Sequence, residues 1–145
     1  MSHALSARIA TVYELQSAWL EPHLRELGVR WTTFQLLATI YGAEKGISQI
    51  EVAQRLGVAP ATMSESVQLH VDKGLIRREA DVKDKRVKLL VLTQEGRAIM
   101  SKIGLKLREL EAVVAAELSQ SESATCAKAL DKIIQLLELK LDEKL

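Results

Sequence analysis

The run Leu56-Gly57-Val58-Ala59-Pro60 leaves this chain few folding options. A glycine that closes a helix takes positive φ at little cost. A proline just beyond it belongs at the first position of a new helix, where its missing N–H is not needed and its φ is already helical. Upstream, Ser48 followed three residues later by Glu51 makes a capping box. Ile50, Val52, Ala53 and Leu56 supply apolar positions over the next turns. Ala53 is small enough for a second helix to cross closely. Two helices joined by about three or four residues with a glycine in the turn are the helix-turn-helix signal. An ordinary helical hairpin satisfies the same local pattern, and the residues beyond Pro60 separate the two.

The second helix is expected from about Pro60 to Lys73. Met63, Val67, His70 and Val71 share one face by helical period. Ala61, Thr62, Glu65, Gln68, Leu69 and Asp72 lie opposite, with Ser64 and Ser66 on the flanks. Small polar side chains on an outward N-terminal face suit a helix laid in a DNA major groove, where Ala61, Thr62, Ser64, Glu65 and Gln68 are the candidate contacts. Gly74 stops the helix. Leu75 to Ala80 and Val87 to Thr93 read as two strands, and Asp81 to Arg86 between them carries five charged residues in six. A ribbon with such a tip is a wing, in which Lys83, Lys85, Arg86 and Lys88 reach phosphates or a narrow minor groove. Asp84, two residues from Arg86, braces the guanidinium. A charge run taken alone is equally a solvated hairpin.

These pieces occur in a specific order. Leu56-Gly57-Val58, Thr62, Lys73-Gly74-Leu75-Ile76-Arg77-Arg78, Asp84-Lys85-Arg86 and Leu92-Thr93-Gln94-Glu95-Gly96 together resemble the MarR family of transcriptional regulators. The resemblance implies a homodimeric winged-helix protein that binds double-stranded DNA, often as a repressor released by a small aromatic or anionic ligand. It assigns Arg86 to the minor groove and Asp84 to its support. Two positions depart from the family pattern. Glu65 stands where a basic residue is common, and can accept from a cytosine amino group but not bind phosphate. His70 stands where leucine is usual, with Leu69 beside it, so a rotated or repacked end of this helix is expected.

The flanks read as helices. Leu5, Ile9, Val12, Gln16, Trp19, His23 and Leu27 trace a stripe through residues 4–27, with Leu15, Leu20 and Leu24 beside it. Pro22 inside that helix predicts a kink or break near Ala18 or Trp19. Trp31 to Tyr41 form the next helix, with Phe34, Leu37, Ala38 and Tyr41 as its apolar face and Thr32 or Thr33 as its cap. Thr93 caps a long helix to about Leu118, striped by Ile99, Ile103, Leu107, Leu110, Val114 and Leu118. Ser119 to Ser123 interrupt it, and Ser121 caps a last helix carrying Ala127, Leu130, Ile133, Ile134, Leu137 and Leu141. Such stripes exceed what one small winged domain buries and must meet another helix. The expected fold is therefore mainly α with a small β-wing. A winged helix-turn-helix domain at 31–96 lies between an N-terminal dimerisation helix at 1–30 and C-terminal dimerisation helices at 97–145. A two-fold dimer places its reader helices about 34 Å apart, which calls for a pseudo-palindromic operator.

Charge distribution agrees with a nucleic-acid partner. The net charge of the 145 residues is only +1, yet residues 54–92 hold eight basic against five acidic side chains, while the flanks are each slightly acidic. Apolar residues at 48% and charged residues at 27% exclude a disordered chain. No apolar run reaches membrane-spanning length, no signal layout opens the chain, and the single Cys126 fits a reducing cytoplasm. His3, His23 and His70 are scattered, and no Cys-x-x-Cys, His-Glu-x-x-His or phosphate-cradling loop occurs. No metal, cofactor or catalytic residue is expected, nor an enzyme. A small-molecule effector pocket, if built, would draw on Trp19, His23, Trp31 and Phe34. The alternative is a winged-helix DNA-binding or protein-interaction module with no effector.

Overall fold

The computed structural model describes residues 4–143. The chain runs through α1 (Leu5–Glu26), α2 (Trp31–Tyr41), β1 (Ile47–Ser48), α3 (Gln49–Leu56), α4 (Pro60–Asp72), β2 (Ile76–Ala80), β3 (Lys88–Leu92), α5 (Gln94–Glu117) and α6 (Gln120–Asp142). It divides into two compact units, one ending at Lys106 and one beginning at Leu107. His3 lies outside the described residues.

Local backbone chemistry sets the element ends. The Ser48 hydroxyl accepts the Glu51 N–H at 3.2 Å and donates to the Glu51 carboxylate at 3.0 Å, so cap and acid hold each other at the start of α3. Gly57 ends α3 at φ 64°, ψ 33°, where a side chain would be strained. Pro60 is the first residue of α4. The Thr93 hydroxyl both donates and accepts. It donates to the Gly74 carbonyl at 2.6 Å and accepts the Gly96 N–H at 3.1 Å, tying the start of α5 to the loop after α4.

In the first unit, Leu20 and Leu24 of α1, Leu36, Leu37 and Ile40 of α2, Val52 of α3, Met63 and Val67 of α4, Ile76, Leu90 and Leu92 of the sheet, and Met100 and Ile103 of α5 form the core. Each such side chain contributes about 1.5–3 kcal/mol by leaving water. The sheet has the order β1-β3-β2 and is antiparallel throughout. It has three strands where two were expected. β1 pairs Ile47 with Leu90 and Ser48 with Leu89. Gly46, at φ 87°, lets the chain approach, since a Cβ there would lie 2.9 Å from the Leu89 Cβ. A strand of two residues shows no alternation to read.

Several local expectations are corrected. α1 does not break at Pro22 and continues to Glu26. Leu20 and Leu24, on either side of the proline, are both anchored in the core, and only one further turn follows. α2 has the expected ends but turns a different face inward. Leu36, Leu37 and Ile40 are buried, Phe34 and Ala38 are half-buried, and Tyr41 is exposed. Its packing against α3 and β3 selects the inward face from an apolar arc wider than one contact needs. Its N-cap is Arg30, with no side-chain hydrogen bond, rather than Thr32 or Thr33. The cap of α6 is Ser119, which accepts the Glu122 N–H at 3.1 Å, so the break after α5 is shorter than expected. Ser121 has no acid three residues on to complete such a cap; Ser119 has Glu122.

The second unit comprises the end of α5 and α6. α6 has no buried residue, and Leu130, Ile134 and Leu137 are exposed, as are Val113 and Val114 on α5.

Candidate nucleic-acid interface

α4 sits over the core on Met63, Val67 and His70, and this turns Ala61, Thr62, Ser64, Glu65 and Gln68 outward, all of them exposed. The expected rotation of its end is absent. His70 occupies the inward position at 4% exposure, whereas Leu69 is exposed. The buried imidazole is satisfied at both nitrogens. Nδ1 lies 2.7 Å from the Ser66 carbonyl, one turn earlier, and Nε2 lies 2.9 Å from Thr33 Oγ1 on α2. A carbonyl only accepts, so Nδ1 donates, and in the neutral ring Nε2 accepts the Thr33 hydroxyl proton. The histidine thus fills leucine's place and adds a polar tie between α4 and the core.

The wing is ordered by its own aspartates. Asp81 accepts the Lys83 N–H and Asp84 the Arg86 N–H, both at 3.1 Å, which are turns closed by side-chain acceptors two residues back. Asp84 also receives Arg86 Nε at 3.1 Å and Nη2 at 3.2 Å, a two-pronged grip on the guanidinium. The Arg86 guanidinium beside Asp84, and then the Arg86 backbone N–H, hold the carboxyl below the usual carboxylate range. Arg86 itself is 92% exposed at the side chain, so the pair aims the arginine and adds little stability. Lys83, Lys85 and Lys88 are exposed beside it.

Between α4 and the wing lies a cation, Arg78, that the sequence offered only as part of the family motif and not as a site residue. Ile76 of β2 points into the core, and Arg78, two residues on, shares its face by the period of a strand. There Arg78 Nη1 donates to Gln68 Oε1 at 3.1 Å, and Gln68 Nε2 donates to Asp72 Oδ1 at 2.8 Å. Alternation from buried Ile76 was the signal available. Arg77 faces the other way and pairs with Glu79 at 2.7 Å.

The residues considered for an effector pocket form two ring pairs. Trp19 and His23 lie tilted against each other with centroids 4.7 Å apart on α1, and Trp31 and Phe34 lie 5.2 Å apart on α2, with Tyr13 against Trp31 at 6.4 Å. His23 Nδ1 is buried and finds no hydrogen-bond partner among the described residues. None of the four lines the cleft of about 300 Å³ between the end of α2, Val91 and Leu92 of β3, and Arg97. Among the described residues, no group of three or more His, Cys, Asp or Glu side chains could hold a metal ion, and no helix is long and apolar enough to cross a membrane.

Comparison with known proteins gives the geometry a context. Residues 27–87 match the sequence model of the MarR family. The structure is similar to that of the transcriptional regulator PA3341, with 26% identity, a TM-score of 0.77, and coverage of 93% of this chain and 98% of that one. It is similar to MarR from E. coli in its apo form, with 25% identity, a TM-score of 0.68, and coverage of 92% and 98%. It also shares its fold with MepR from S. aureus in a MepR–DNA complex, with 21% identity, a TM-score of 0.69, and coverage of 92% and 96%.

Proposed function

We propose that the chain, which matches the MarR family model over residues 27–87 and is similar in structure to a transcriptional regulator over 93% of its length, is a winged-helix regulator of that family that acts as a homodimer, reads a pseudo-palindromic operator and represses transcription from it. The observation that carries this reading is the juxtaposition of an outward polar helix with a braced, fully presented Arg86. Ala61, Thr62, Ser64, Glu65 and Gln68 meet base edges, and Lys83, Lys85, Arg86 and Lys88 meet the backbone and minor groove, with Asp84 as the brace. The 31–96 segment is the reader, and residues 1–30 and 97–145 are the dimerisation elements. Exposed apolar side chains on α1 (Leu5, Val12, Leu15), on α5 (Val113, Val114) and on α6 (Leu130, Ile134, Leu137) support pairing, because faces of that size are seldom left in water.

Release by a small aromatic or anionic ligand is the finer part of the reading. The unpartnered His23 Nδ1 beside the Trp19 ring favours it, since a buried polar atom of this kind gains from a hydrogen-bonding guest. A ligand that prefers the dimer with displaced readers would weaken DNA binding by its differential affinity for the two states.

Sedimentation and a salt-titrated DNA-binding assay on the chain's own upstream DNA test the reading together. The expected result is a dimer whose affinity falls steeply and log-linearly with salt. A monomer at micromolar concentration, or binding indifferent to salt, would refute it. Adding aromatic acids to the same assay tests the effector.

A further inference from the structure

We infer that Arg78, with Asp72, is a positioning residue that holds the Gln68 amide in the orientation that reads adenine. The inference rests on the DNA-reading function proposed above.

Gln68 lies on the outward line of α4, four residues before Asp72, and its side chain is exposed. A lone surface glutamine samples many rotamers and presents either end of its amide. This one is gripped at both ends, by Arg78 Nη1 on Oε1 at 3.1 Å and by Asp72 Oδ1 on Nε2 at 2.8 Å. The neighbours allow only that sense. A guanidinium only donates and a carboxylate only accepts, so a flipped amide would set N–H against N–H and oxygen against oxygen. One N–H and one carbonyl lone pair remain unused. Those two groups complement the N7 acceptor and the N6 donor that adenine shows in the major groove.

The clamp contributes orientation rather than attraction. Arg78 and Asp72 carry opposite charges, so the pair adds no net charge towards phosphate. The side-chain freedom of Gln68 is given up in the free protein, and docking on a base then costs less ordering. Arg78 can do this because β2 runs beside α4 and buried Ile76 turns the same strand face towards the helix.

The test is selection of bound duplexes from a randomised library with the full chain, comparing wild type, Gln68→Ala, Arg78→Met, Arg78→Lys and Asp72→Asn. The wild type is expected to enrich a motif with adenine at one symmetry-related position. Gln68→Ala should abolish that preference alone. Arg78→Met should relax it roughly ten-fold, a part of what a good bidentate pair is worth, and leave the other positions intact. Arg78→Lys keeps the charge without the planar fork and should relax it likewise. Asp72→Asn offers an amide that tolerates the flipped glutamine, and, being an exposed change, it carries the test should Arg78→Met fail to fold.

Retention of the preference in all the clamp variants overturns the inference. So does a uniform loss of affinity in Arg78→Met that Arg78→Lys restores, which would make Arg78 a phosphate contact. If Gln68→Ala alters no position, Gln68 reads no base and the inference falls. If the wild type enriches no motif, the DNA-reading function itself fails and takes the inference with it.

Discussion

Replacing Thr33 with valine isolates the tie between α2 and α4. Valine keeps the branched shape of threonine, so the packing of α2 is retained. What is lost is the hydroxyl that meets His70 Nε2 at 2.9 Å. His70 is 4% exposed, and water cannot readily replace that partner. A buried acceptor left unmade costs about 1–3 kcal/mol, and Thr33→Val should destabilise the protein by that amount. His70→Leu removes the need along with the ring. The Ser66 carbonyl keeps its place in the helix ladder and the apolar position is refilled, so this change should cost less than about 1.5 kcal/mol. With both substitutions no polar atom is stranded. The double variant should therefore be more stable than Thr33→Val alone, with a coupling of roughly 1 kcal/mol or more. Urea unfolding followed by circular dichroism measures the cycle, at one protein concentration because assembly contributes to stability. Additive effects, or Thr33→Val within about 0.5 kcal/mol of wild type, would show that the bond does not hold the helix in place.

Three further outcomes are expected. Arg86→Ala should weaken DNA binding for every sequence by roughly 1–3 kcal/mol, as for an arginine entering a groove; unchanged affinity in a fluorescence-anisotropy titration would remove the wing from the interface. Ser48→Ala takes away the cap of α3 and should lower unfolding free energy by about 1 kcal/mol, measured by the same urea titration, and no change would mean that water replaces the hydroxyl. Arg86 lowers the Asp84 carboxyl below its usual range. A carboxyl lowered on folding contributes its stabilisation above its ordinary pKa and loses it as pH falls through the lowered value. The wing brace is thus complete at neutral pH and opens only in acid below the usual aspartate range. Carboxyl-detected NMR should place the Asp84 midpoint below that of a free aspartate and raise it in Arg86→Ala; an ordinary midpoint in the wild type would deny the brace in solution.

How much of the site was legible depends on how far apart its partners lie. The outward face of α4 came from helical period, and the Asp84–Arg86 grip from a spacing of two residues. The Arg78–Gln68 contact crosses from helix to strand, and a period of two from Ile76 would have indicated only the face, not the partner. The use of His70 was hidden more deeply. Its partner Thr33 is 37 residues away and stands where a helix cap is expected. The same residue types that cap helices also satisfy buried rings, and nothing local distinguishes the two uses.

The sequence alone settled what depends on the backbone of a few adjacent residues. Gly57 needs a left-handed turn, Pro60 a first helical position, Ser48 a cap with Glu51, and Thr93 the start of α5. Each of these satisfies an N–H or a φ angle within a span of about one turn, so the neighbours in sequence are enough to set it. Tertiary structure alone decided which face of α2 is buried, that Ile47 and Ser48 pair with β3, that α1 runs on through Pro22, and where Thr33 and Arg78 direct their polar atoms. A helix whose apolar arc is wider than one contact needs has no single preferred inward face until another surface meets it. A two-residue strand exists only by the strand beside it, and a hydrogen bond between distant positions becomes available only once the core has brought them together.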